Sequence, residues 1–146
     1  LKLGAGGYRE LWSGDRILSS HYSSSIHQAG FLYGFDGRQE YGTQLRCVSL
    51  ANGKIAWSEA RPGEKKYGSG TLILAGDKLL VMTDSGELIL ARVSPSGYKR
   101  LDSADILTGT VRAYPALAGG LFYARSTSEL VCIDLRKTPA AKPGPK

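Results

Sequence analysis

The segment Leu45–Trp57 constrains this chain more than any other stretch: an alternating run, an Asn52-Gly53 step and a second run ending in tryptophan. Leu45, Cys47 and Ser49 alternate with Arg46, Val48 and Leu50, the period-two pattern of a strand. Both central residues of a type I′ turn need φ > 0, so Asn52-Gly53 predicts a type I′ hairpin. The same unit returns in weaker form. Gln44–Leu50 matches Glu129–Leu135 position for position, with Cys132 in the place of Cys47. Glu87–Val93 lies between them with Leu90 at the cysteine's position, at intervals of 43 and 42 residues.

Two further markers keep the same phase. Gly30–Tyr33, Asp77–Val81 and Gly120–Tyr123 precede the three units; Gly7–Trp12, Gly53–Trp57 and Gly97–Leu101 each follow a turn. Short strands and Gly-rich turns repeating every ~40–45 residues are the mark of β-propeller blades. No 3.6-residue periodicity extends beyond two turns, which speaks against helical repeats.

The expected fold is therefore all-β: a partial β-propeller of about three four-stranded antiparallel blades. Strands are expected near 24–28, 31–36, 43–50 and 54–59, then 71–75, 78–83, 87–93 and 98–103, then 113–118, 121–125 and 129–135. A lone strand at 8–12 matches the fourth strand of a preceding unit. Residues 1–22 thus read as that strand and a connecting loop, 23–69 and 70–111 as two blades, and 112–136 as three strands of another. Residues 137–146 are rich in Pro and Lys without large apolar side chains, and are expected to be disordered.

With these residues in view, the chain resembles the pyrroloquinoline-quinone (PQQ)-like β-propellers. Their blades carry Ala-x-Asp-x-x-Thr-Gly-x-x-x-Trp, the tryptophan-docking motif. Here Cys47 stands for the alanine, Ser49 for the aspartate, Asn52 for the threonine, Gly53 for the glycine and Trp57 for the tryptophan. The third unit keeps Cys132 and Asp134, and Trp12 falls at a docking position of the leading strand. The physical logic stands beside the family: a small residue leaves room between sheets, and an indole covers the next blade.

The resemblance implies a rigid, non-catalytic module that binds a protein or ligand, as the propeller subunit of the outer-membrane barrel-assembly machinery does. It also implies a periplasmic, secreted or cell-surface setting. An alternative within the family is a fragment of a quinoprotein dehydrogenase using PQQ and Ca²⁺ to oxidise alcohols or sugars. A second alternative is a polysaccharide-binding propeller. No adjacent cysteines occur, and both tryptophans fall at docking positions, so no cofactor is expected in this chain.

Composition narrows the partners. The net charge is +6, but Arg136, Lys137, Lys142 and Lys146 supply four of these charges, leaving +2 for residues 1–135. This is a tail effect and gives no reason to expect a nucleic-acid partner. No window approaches the ~20 apolar residues of a membrane span. The two cysteines occupy equivalent places in separate blades, too far apart to bridge, and both read as small buried hydrophobes. The chain starts at Leu1, and three blades do not close a ring. The expectation is a set of C-terminal blades from a longer propeller, with a ring completed by a second copy as the alternative.

Little else in the sequence carries chemistry. His21 and His27 with two distant cysteines give no metal-ligand spacing. Asp36-Gly37 and Asp84-Ser85-Gly86 lack the ligand order of a calcium loop and read as hairpin turns. The segments leading into each blade remain: His21-Tyr22, Lys66-Tyr67 and Arg112-Ala113-Tyr114. Each sets a tyrosine near a cation or imidazole, which suits an anionic or sugar-like ligand at a channel mouth. The plainer alternative is that these tyrosines pack over the channel end.

Overall fold

The computed structural model describes residues 6–38, 40–60 and 68–136. Among them are eleven strands and no helix, in three antiparallel sheets that each follow chain order. Sheet 1 holds β1 (Ile26–Gln28), β2 (Phe31–Arg38), β3 (Gly42–Ser49) and β4 (Ile55–Glu59). Sheet 2 holds β5 (Gly70–Ala75), β6 (Lys78–Thr83), β7 (Glu87–Ser94) and β8 (Gly97–Asp105). Sheet 3 holds β9 (Ala116–Ala118), β10 (Leu121–Arg125) and β11 (Leu130–Asp134).

Each of these strands overlaps one expected from the sequence. The strand expected at 8–12 does not form; Gly7 alone makes an isolated bridge there. A strand exists only where a neighbour completes its hydrogen bonds, and the described residues offer this segment no such ladder.

The turns differ from expectation in an instructive way. The β3–β4 connection is a five-residue loop, 50–54, in which Gly53 alone has positive φ, +70°. Ser49 N–H donates to the Lys54 carbonyl at 2.8 Å and Gly53 N–H to the Ser49 carbonyl at 2.9 Å. The Asn52 side-chain oxygen accepts from Lys54 N–H at 3.0 Å, so asparagine caps the loop through its side chain and keeps an ordinary backbone. The type I′ expectation at Asn52-Gly53 is thus wrong. The both-positive signature falls instead at Ala29-Gly30 (φ 50° and 82°) and Gly119-Gly120 (58° and 80°). Each of these pairs closes a two-residue hairpin, Gln28 facing Phe31 and Ala118 facing Leu121.

Strand registers fix the repeat. Tyr33 pairs with Cys47, Leu80 with Leu90 and Tyr123 with Cys132, so the three marker positions are structurally equivalent. The outer strands share a second feature. β3–β4 slips by one residue between Cys47 and Val48, and β7–β8 slips between Leu90 and Ala91. Beside each bulge, Cys47 faces Trp57 and Leu90 faces Asp102. Asp102 therefore stands where Trp57 stands one sheet earlier. The sequence match of Gly97–Leu101 to Gly53–Trp57 is out by one residue, because Gly53 lies in the β3–β4 loop whereas Gly97 already begins β8.

Two apolar layers join the sheets. Tyr33, Phe35, Leu45 and Cys47 of sheet 1 pack against Leu72, Leu79, Val81, Ile89, Ala91 and Val93 of sheet 2. Leu80, Met82 and Leu88 of sheet 2 pack with Phe122 and Ala124 of sheet 3. Alternation along each central strand makes this possible, since one strand feeds both neighbouring junctions with opposite faces.

Sheet 3 lacks a sheet on its far side among the described residues. Its equivalents of Tyr33 and Leu45 are Tyr123 and Leu130, which are 38% and 72% exposed. Cys132 is exposed there while Cys47 is buried, and both are free thiols. The expectation of two buried cysteines is corrected for Cys132: the residue lies on the face that a next sheet would cover.

Candidate functional site

Antiparallel pairing decides which loops share an end. Gly70 pairs with Thr83, so the segment entering β5 and the β6–β7 turn meet. Asp84 N–H donates to the Ser69 carbonyl at 2.8 Å, and Val111 N–H donates to the Asp84 carbonyl at 2.9 Å. The turn is thereby laced to the segments entering both sheet 2 and sheet 3.

Three of the six residues expected at the mouth come together here. The Tyr22 ring lies 5.2 Å from the His21 ring, centroid to centroid. The Arg112 guanidinium sits over the Tyr22 ring at 5.9 Å, within cation–π reach. The Tyr22 hydroxyl is buried beside the Ser69 side chain. Burial raises its pKa, with Asp84 adding to the rise and Ser69 and Arg112 opposing it. Asp84 is also buried, and burial raises its carboxyl pKa against the opposing backbone bond from Ser69 and the charge of Arg112.

Tyr114 is 53% exposed on the approach to β9. Lys66 and Tyr67 lie outside the described residues, as does the 137–146 tail.

Beside Arg112 opens a cleft of about 310 Å³ lined by Thr110, Arg125, Ser126 and Thr127. Arg125 donates through Nε to the Ser126 carbonyl at 3.1 Å. Two cations among hydroxyls suit this surface to an anion or a polyol.

Sequence reasoning missed Asp84 and Arg125. Asp84 was legible as part of a turn; that its turn meets the segment entering β5 follows only once β5 and β6 are paired. Arg125 ends β10 and carries no local signal.

The docking residues show a repeated contact. Trp12 donates from Nε1 to the Leu50 carbonyl at 2.8 Å, and its ring covers Gly53 so closely that a Cβ there would lie 2.8 Å from Trp12 Cε3. Trp57 donates to the Ser94 carbonyl at 2.7 Å, its ring 6.0 Å from Tyr33 and 6.4 Å from Tyr98. Each indole thus reaches a carbonyl in the outer hairpin of the following sheet. Burial raises the Cys47 thiol pKa. Asp134 is held low, to about 2, by Arg136, which reaches its carboxylate through Nε at 2.8 Å and one terminal nitrogen at 2.6 Å.

The quinoprotein alternative calls for a calcium ion. Among the described residues no three of His, Cys, Asp and Glu converge as a metal site. Calcium takes six to eight oxygens, and Asp84 with its backbone bonds and its facing arginine does not fit that need.

No protein-family model matches the chain. A stretch of 56 residues is 41% identical to methionyl-tRNA formyltransferase of Renibacterium salmoninarum, covering 38% of this chain and 18% of that protein. The chain thus spans under a fifth of that relative, and the match carries no activity with it. The sheets resemble the crystal structure of BamB from Moraxella catarrhalis, with a TM-score of 0.56 and 16% identity over 74% of this chain and 29% of that one. The fold is part of a β-propeller. At such identity the likeness speaks for fold alone. Sheets 1 to 3 are the propeller's blades, the third with three strands among the described residues. No helix of the described residues is long and apolar enough to cross a membrane.

Proposed function

We propose that this chain is a non-catalytic PQQ-like propeller module that binds a protein partner and works in the cell envelope. The observation that carries the reading is the face of blade 3 that no described residues cover. Tyr123, Leu130 and Cys132 repeat the positions of Tyr33, Leu45 and Cys47, which are 1%, 0% and 0% exposed at the junction of blades 1 and 2. A face built to blade-junction pattern is complementary to another sheet of the same kind, whether from further blades or from a second copy. The edge of β11, unpaired among the described residues, lies beside it and can accept a strand by main-chain pairing. The Arg112–Arg125 cleft is a second surface, suited to an anionic or sugar-like group.

Sedimentation velocity and hydrophobic-dye binding test the reading. The native chain should associate with rising concentration, or bind the dye, and Tyr123→Lys with Leu130→Lys should lessen both. A native chain that stays monomeric and binds no dye would reject it.

A further inference from the structure

The junction of blades 2 and 3 contains a cavity of about 520 Å³. Its walls are Leu80, Leu88 and Leu90 from blade 2 and Leu117 and Leu135 from blade 3. That volume falls within the range of small-molecule sites, roughly 300–1,000 Å³.

The repeat says what is missing. At the preceding junction the same space holds the Trp57 indole, between Tyr33 and Tyr98. Asp102 occupies the Trp57 position beside the matching bulge, and Leu80 occupies the Tyr33 position. Both large rings are therefore replaced by smaller side chains. The carbonyl that an indole would reach is retained. Leu135 N–H donates to the Gly120 carbonyl at 2.9 Å, as Leu50 N–H does to that of Gly30 at 2.9 Å, and the Leu50 carbonyl is the one that accepts from Trp12.

We infer that the cavity between blades 2 and 3 binds a free, small, planar aromatic molecule of the indole class, its N–H donating to the Leu135 carbonyl. Three observations select this occupant. The strand that would deliver a tryptophan is already present as β8, so a partner strand has no place at that position. Residues 137–146, which follow the site, contain no aromatic or large aliphatic side chain to fill it. The rim carries one cation and one anion, Lys78 and Asp102, and so favours a neutral ligand.

Calorimetric titration of the full chain with indole is the test, with benzothiophene as a probe of the same shape without N–H. Indole should bind saturably, and benzothiophene about fivefold more weakly, the loss of one hydrogen bond. Asp102→Trp should refill the space and abolish binding while leaving or raising the melting temperature. Leu90→Phe, which fills the cavity from the β7 side, should weaken binding and stands in if the first variant does not fold. No saturable binding below ~10 mM, a range weaker than ordinary ligand sites, would overturn the inference. So would unchanged binding in both variants, or equal binding of the two probes.

Discussion

At the scale of single residues, Trp57 ties two blades together, its indole reaching the Ser94 carbonyl. Trp57→Ala should cost about 3 kcal/mol in urea unfolding, since it removes a large ring from between two tyrosines. Trp57→Phe keeps most of the ring and loses the bond to the Ser94 carbonyl, so about 1 kcal/mol is expected. If the two variants behave alike, the indole N–H is irrelevant to docking. Asp84 predicts a pH dependence. Its folded pKa lies above the unfolded value of 3.8 because of burial. Below that pH the acid is protonated in both states and imposes no penalty. As pH rises through that value the unfolded chain ionises first, so folded stability falls until the folded pKa is passed. Asp84→Asn removes this loss. Its melting temperature relative to the native protein should be close at pH 3 and higher at pH 7; a constant difference would contradict the burial argument.

Hairpins and strand pairs are the next scale, and here sequence and structure diverge informatively. Strand positions were legible because alternation and Gly-rich turns punctuate each unit. Turn geometry was not. Asn52-Gly53 carries the stronger type I′ signature, yet Asn52 spends its side chain on Lys54 N–H, and the true type I′ turn uses Ala29. Alanine at φ 50° is strained, so Ala29→Asn should raise stability by ~0.5–1 kcal/mol, measurable as a shift in the urea midpoint. The bulges in β4 and β8 were also invisible, since an extra residue shifts phase without any compositional mark. That is why the sequence pattern aligns Leu101, and not Asp102, with Trp57. The same limit applies to the cluster of His21, Tyr22 and Arg112: these three share a pattern of type and spacing in the sequence, whereas Asp84 joins them through pairing of distant strands. Thiol labelling checks the strand faces directly. A maleimide should modify Cys132 on β11 and leave Cys47 on β3 intact in the native state, with Cys132→Ser abolishing the reaction. Equal modification of both would mean that blades 1 and 2 part readily.

Across the whole molecule, the blades are unequally supported. Blade 2 is covered on both faces, by the layer it shares with blade 1 and the layer it shares with blade 3. Blade 3 is covered on one among the described residues. Hydrogen exchange should therefore be slowest in β6 and β7 and faster in β11, whose outer edge is unpaired among the described residues. Uniform protection would argue against a stack of semi-independent sheets. The tryptophans add an optical consequence. The chain has only two, and they sit at different places: Trp12 on the outer loop of blade 1, and Trp57 within the junction of blades 1 and 2. Phenylalanine at position 12 would leave one emitter, so a red shift of its fluorescence would report the parting of two blades and nothing else. Phenylalanine at position 57 would give the complementary gauge, sensitive to release of the leading segment.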